Sequence, residues 1–101
     1  MYGLMGKFTA QPDQRETLVG YLMEAASGLE AVDGCLLYVV SRASDDPDGI
    51  WVTEVWRTQA DHQASLALPA TQQLISVARP LIAGLSNRVE FEPVGGKGIQ
   101  S

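Results

Sequence analysis

Residues Cys35–Ala43 of this chain read CLLYVVSRA, and Ile50–Arg57 read IWVTEVWR. Both runs are rich in β-formers, and the turn residues SDDPDG between them make the two runs the arms of a hairpin. Successive side chains on a strand point to opposite faces, so an antiparallel hairpin that is wet on one side alternates apolar and polar. Here Leu36, Tyr38 and Val40 alternate with Leu37 and Val39, which are apolar too, so both faces of the strand call for cover. A chain of 101 residues suffices for one core and is too short to supply a third layer of its own.

The rest of the chain shows what covers one face. YGLMGKF (Tyr2–Phe8) is an opening strand that stops at the turn-forming TAQPD. Asp13 and Glu16 have the spacing of a capping box, and Leu18, Leu22, Ala25, Ala26 and Leu29 recur at helical spacing, which predicts an amphipathic helix closing near Gly34. Thr58 and Asp61 repeat the capping spacing, so a second helix starts at about Gln59; Pro69 opens a further helical turn, and Pro80 disfavours helix at Arg79 and ends it. RVEFEPV (88–94) is the last strand, and GGKGIQS (95–101) is a flexible tail after a single domain over 1–94. The order β-α-β-β-α-β is the α+β, ferredoxin-like arrangement, an antiparallel sheet with both helices on one face. Its other face is left bare. A second copy stacked sheet against sheet would cover it, which predicts an isologous homodimer.

Composition removes several classes of function. A formal net charge of -5 argues against a grip on phosphate backbones, so no nucleic-acid partner is expected. Cys35 is the only cysteine, and the N-terminus lacks a basic stretch followed by an apolar one, a combination expected of a cytoplasmic protein. No apolar run approaches the roughly 20 residues of a membrane-spanning helix, so no membrane is expected. One histidine and one cysteine fall short of the three or four ligands of a zinc site, and PVGGKG lacks the spacing of a phosphate loop. Neither a metal nor another cofactor is expected. A Cys35–His62 nucleophilic pair is one arrangement the residues allow; a cysteine entering a core strand is more commonly a small buried hydrophobe.

TEVWRTQADHQASLALPATQQLI (Thr53–Ile75), with its Glu-Val-Trp, its capped helix and its Leu-x-x-Pro break, resembles the strand-helix segment of the antibiotic biosynthesis monooxygenase family. The likeness extends to FTAQPDQRETL, DGCLLYVV and the closing VEFEPV. The resemblance implies a dimeric α+β barrel. Its members oxidise quinols or aromatic polyketides, degrade haem, isomerise small metabolites or have no known substrate, and fold alone does not choose among these. Many relatives carry histidines where this chain has Ser65 and Ala70, and the Trp and His of the haem-degrading members fall on Ser65 and Ile75, which sets haem degradation aside. The resemblance implies cofactor-independent oxygenation of a quinol or polycyclic phenol: the substrate, once deprotonated, passes an electron to O2, and the protein supplies an apolar pocket, a base and donors for the developing anion.

His62, on one helical stripe with Ser65 and Leu66, is the candidate base, because an imidazole titrates near neutral pH; its plainer role is a residue on a solvated helix face. Trp51 and Trp56, five positions apart, lie on opposite faces of one strand, so one meets the helices and the other the partner sheet; each is an aromatic wall for a flat ligand or core filling. Tyr38 donates to an oxyanion or holds a backbone carbonyl. Arg79 pairs with an anionic substrate or with Glu54. Ser65 is a polar contact in the pocket or a surface residue. Two other functions stay open: an isomerase of a small metabolite in the same pocket, and a non-catalytic dimer that binds a small aromatic or quinol-like ligand.

Overall fold

The computed structural model describes residues 1–99. Four antiparallel strands, β1 (Tyr2–Ala10), β2 (Cys35–Arg42), β3 (Gly49–Trp56) and β4 (Ile82–Phe91), form one sheet in the order β2-β3-β1-β4. Helices α1 (Arg15–Leu29), α2 (Gln59–Leu66) and α3 (Pro69–Ala78) complete the fold, with one 3-10 turn over Arg79–Leu81. This is the ferredoxin-like α+β arrangement, with the second helical region split in two where Leu68 turns extended ahead of Pro69.

Register decides which side chains meet the helices. Pairing sets Tyr38 opposite Glu54 and Val40 opposite Val52, while β1 brings Phe8 opposite Ile50. Ile50 and Val52 pack with Ala10, Leu18 and Ala78, and Phe8, Tyr38 and Val40 close round them. Leu18, fully buried, is the α1 residue at the centre of this layer, and hiding such a side chain is worth about 2 kcal/mol. The opposite face carries Leu37, Val39, Trp51 and Val55, with Met5, Val89 and Phe91 in register beside them. Val39, Val89 and Phe91 keep 43%, 48% and 39% of their surface exposed. Phe91 lies across Gly3, where a Cβ would stand 2.2 Å from the ring, so only glycine lets the aromatic lie flat there. Both faces of the sheet are apolar, and the chain covers one of them.

Two strand irregularities set this alternation. A bulge between Cys35 and Leu37 turns Cys35 toward the helices and Leu37 away, although two residues apart they would otherwise share a face. A second falls in β4 between the partners of Met5 and Lys7, where Asn87 takes a left-handed φ of 55°.

Strand β1 runs on through Thr9 and Ala10, which the sequence assigns to the turn, and the boundaries differ from the sequence expectation at three further places. Helix α1 starts at Arg15 behind Gln14, which makes no side-chain cap; Asp13 takes a left-handed φ of 64° in the preceding turn, and Glu16 turns to Arg42 instead. The helix ends at Leu29, short of Gly34, because the chain turns back through Val32 and Cys35 to enter β2. Strand β4 runs from Ile82 to Phe91, beginning six residues before Arg88 and stopping short of Val94, because Ile82 and Leu85 pair with Ala10 and Phe8 of β1. In the segment expected to be a tail, Gly96 and Ile99 form an isolated bridge, while Gln100 and Ser101 lie outside the described residues.

Candidate functional site

Helix α2 is seated from both sides. The Thr58 hydroxyl accepts the Asp61 backbone N–H at 3.1 Å, the cap its spacing predicted. Asp61 also takes Arg57 at 3.1 Å, and its carboxylate stands 2.7 Å from where a Cβ on Gly34 would lie. A side chain at position 34 would push α2 off the hairpin. So placed, α2 brings His62 down onto the end of β3.

Between this helix, α1, α3 and the inner sheet face lies a cavity of about 450 Å³. That is within the ordinary range for a small-molecule site. Phe8, Leu22, Leu74, Ile75 and Leu85 give it apolar walls. Its polar groups gather about one point of the sheet: Tyr38 and Glu54 face each other across β2 and β3, and Trp56 follows Glu54 on the same face. His62 is held between aromatic rings, with centroids 5.6 Å from Tyr2 and 5.5 Å from Trp56. The Trp56 indole N–H donates to Glu54 Oε1 at 3.0 Å, and His62 Nε2 approaches that same oxygen at 3.8 Å. At that separation there is attraction but no direct hydrogen bond. The side chains of His62 and Glu54 are only 12% and 15% exposed.

Electrostatics follow from this burial. Desolvation pushes the Glu54 carboxyl above the ordinary carboxylate range, against the Trp56 hydrogen bond and the nearby His62 and Arg88, which pull it down. Burial, reinforced by the Glu54 charge, holds the Tyr38 phenol far above its usual range, so it remains a proton donor at any working pH. Among the described residues its hydroxyl makes no hydrogen bond, and no buried side-chain oxygen or nitrogen lacks a partner, so the Tyr38 oxygen borders open space. Cys35 is likewise raised, by burial and then by Glu54, and its Sγ sits 3.8 Å from the Leu37 carbonyl. A protonated thiol so placed is a poor nucleophile.

The fold thus brings together Tyr38, Trp56, His62, Ser65 and Arg79 on one cavity, and sets Trp51 on the other face of the sheet, under Lys7 Nζ at 5.9 Å. Ser65 is buried and donates its hydroxyl to the His62 carbonyl at 2.6 Å, which leaves only lone pairs for a ligand. Arg79 is exposed, and among the described residues it makes no ion pair, with Glu54 or any other carboxylate. Glu54 is the member that inspection of the sequence named only as a possible partner of Arg79. The signal was present: Ile50, Val52, Glu54 and Trp56 form the inward row of β3, and an ionisable residue in such a row is buried by construction.

A family model for antibiotic biosynthesis monooxygenases matches residues 1–76. The chain belongs to this family. A crystal structure from Chloroflexus aurantiacus J-10-fl, provisionally named an antibiotic biosynthesis monooxygenase, is 50% identical, with 98% of each chain covered and a TM-score of 0.90. Another, from Deinococcus radiodurans and likewise provisionally named, is 27% identical over the whole of both chains, with a TM-score of 0.81. A third, from Caulobacter crescentus CB15, shares the fold at 16% identity, covering 92% of this chain and 89% of its own, with a TM-score of 0.85. No curated protein matched the chain. Of the two positions at which the sequence resemblance implies histidine in relatives, Ser65 lines the cavity and Ala70 is not among its lining residues. No helix of the described residues is long and apolar enough to cross a membrane.

Proposed function

We propose that this member of the antibiotic biosynthesis monooxygenase family is a cofactor-independent oxygenase of a hydroquinone or polycyclic phenol, with His62 as the base that removes the substrate's hydroxyl proton. The observation that carries this reading is His62 on the wall of a largely apolar cavity, its imidazole held by Tyr2 and Trp56, with the unpartnered hydroxyl of Tyr38 on the same cavity. A flat ring fits against Phe8, Leu74 and Ile75, with its hydroxyl toward His62. Transfer of that proton leaves an electron-rich phenolate that reduces O2 directly. For a ring CH2 conjugated with the phenol, one oxygen atom becomes the new C=O, the other leaves as water, and the substrate supplies all four electrons. The Tyr38 hydroxyl donates to the developing anion. Arg79, exposed at the cavity, meets any anionic group the substrate carries.

The same reading includes a homodimer formed through the outer sheet face, supported by the exposed Val39, Val89 and Phe91, which would otherwise leave a broad apolar patch in water. It also includes a cytoplasmic setting, supported by the lone cysteine.

Oxygen-electrode assays with metal-stripped protein and a panel of hydroquinones and anthrone-like phenols test it. The expected result is O2 uptake above autoxidation that falls at least about tenfold in His62→Ala, the low side of what a general base contributes. Absence of uptake, with solvent deuterium appearing in a metabolite, would replace the oxygenase by an isomerase; neither signal, with tight binding of an aromatic ligand, would leave a binding protein.

A further inference from the structure

We propose that Glu54 and His62 work as one proton-accepting pair, in which the imidazole takes the proton of a substrate hydroxyl and the carboxylate beside it neutralises the imidazolium so formed. Both side chains line the same cavity, and Nε2 stands 3.8 Å from Oε1. The carboxylate is aimed: Trp56 holds Oε1 at 3.0 Å, and the Trp56 ring also flanks the imidazole, so one side chain positions both partners. In the step itself the substrate O–H bond breaks, an N–H bond forms on His62, and the electron pair stays on oxygen as phenolate. The net charge is unchanged, and the new cation is created facing a buried anion.

The surroundings leave Glu54 as the group for this task. On β1 the Tyr2 hydroxyl is engaged with Glu90 of β4 at 3.0 Å, and Arg88 neutralises Glu90 at 2.7 Å. On β2 the neighbours Tyr38 and Cys35 are protonated and neutral. On α2 the Asp61 carboxylate is taken by Arg57. Arg79 is exposed on the cavity wall without an ion pair among the described residues. Among those residues, His62 is the only basic side chain within 4.0 Å of Glu54. A buried carboxylate is costly, and a proton gained by the imidazole 3.8 Å away relieves that cost. Glu54 acts through His62 and is a positioning residue.

The pair deepens the oxygenase reading and takes its substrate from it, but it can be measured on the unliganded protein, so a silent oxygen electrode and a failed pairing are separate results. Carboxyl-carbon NMR of protein labelled at its glutamates reads the pair from the Glu54 side, with the resonance lost in Glu54→Gln giving the assignment. His62→Gln removes the imidazole from beside Oε1 and is expected to raise the pH at which Glu54 titrates, as loss of a nearby cation does. His62→Lys, which restores a positive charge, is expected to return the titration part of the way. A Glu54 titration indifferent to both substitutions would overturn the pair.

Discussion

On the inner face of the sheet Ile50, Val52, Glu54 and Trp56 run in one row; on the outer face Trp51, Thr53 and Val55 run in the next, one residue out of phase. The inner row is covered by three helices and ends in a carboxylate, an indole and an imidazole in mutual contact. The outer row meets Leu37, Val39, Met5, Val89 and Phe91 and, among the described strand residues, no charge but Lys7, which is tied to Asp46 at 3.0 Å. One strand thus presents a buried carboxylate to one side and an apolar surface to the other, and the difference between the faces is a matter of which ionisable groups are left without a neutralising partner.

Substitutions on the two faces should therefore fail differently. The largest effect is expected inside: Leu18→Ala removes a fully buried side chain and should cost about 2–5 kcal/mol in denaturant unfolding. Val39→Ala on the outer face of an isolated chain should cost far less, and equal losses would erase the distinction. Next, Val39→Glu with Val89→Glu should weaken self-association at least about a hundredfold, near 2.7 kcal/mol by mass action, and yield a folded monomer in sedimentation. A dimer that persists in this variant would locate the interface elsewhere. Third, His62→Ala should cut turnover at least about tenfold while its melting temperature stays close to wild type; loss of both would make the residue structural.

A fourth, smaller effect depends on pH. The folded-state pKa of Glu54 is raised by burial, so its contribution to stability is complete below the unfolded carboxyl range, about 4.3, and is lost as pH rises through the folded value. Glu54→Gln should therefore gain on wild type in melting temperature between pH 4 and pH 7, with the gain opening across that window. A difference constant with pH would mean that the carboxyl is not strained by burial. The smallest effect belongs to the surface: Glu16→Gln breaks the two-pronged contact with Arg42, 2.9 and 3.1 Å from Nε, yet should leave the melting temperature at neutral pH nearly where it was, as exposed pairs do.

Much of this could be read from the chain because it is local. The cap at Thr58 and Asp61 and the helix break at Pro69 are written within a few residues of where they act. The other proposed cap failed because Asp13 had a competing use, a left-handed turn that delivers β1 into α1. The start of β4 was illegible for a different reason: Ile82–Leu85 follow Pro80 and a helical turn, and only pairing with Phe8 and Ala10, more than seventy positions away, makes them a strand. The site divides the same way. His62, Tyr38 and Trp56 stand out by residue type, whereas Glu54 acquires its meaning from Trp56 and His62 closing over it, and burial of that kind is a property of the packed sheet.

The placement of the two tryptophans has a practical side. Trp51 sits at the open face under a lysine, and Trp56 is sealed in the core with its N–H given to a carboxylate. The molecule therefore carries two built-in fluorophores that watch separate events. In Trp56→Phe the remaining emission reports on the open sheet face; in Trp51→Phe it reports on the cavity. Events at the two faces can therefore be recorded independently without attaching a dye.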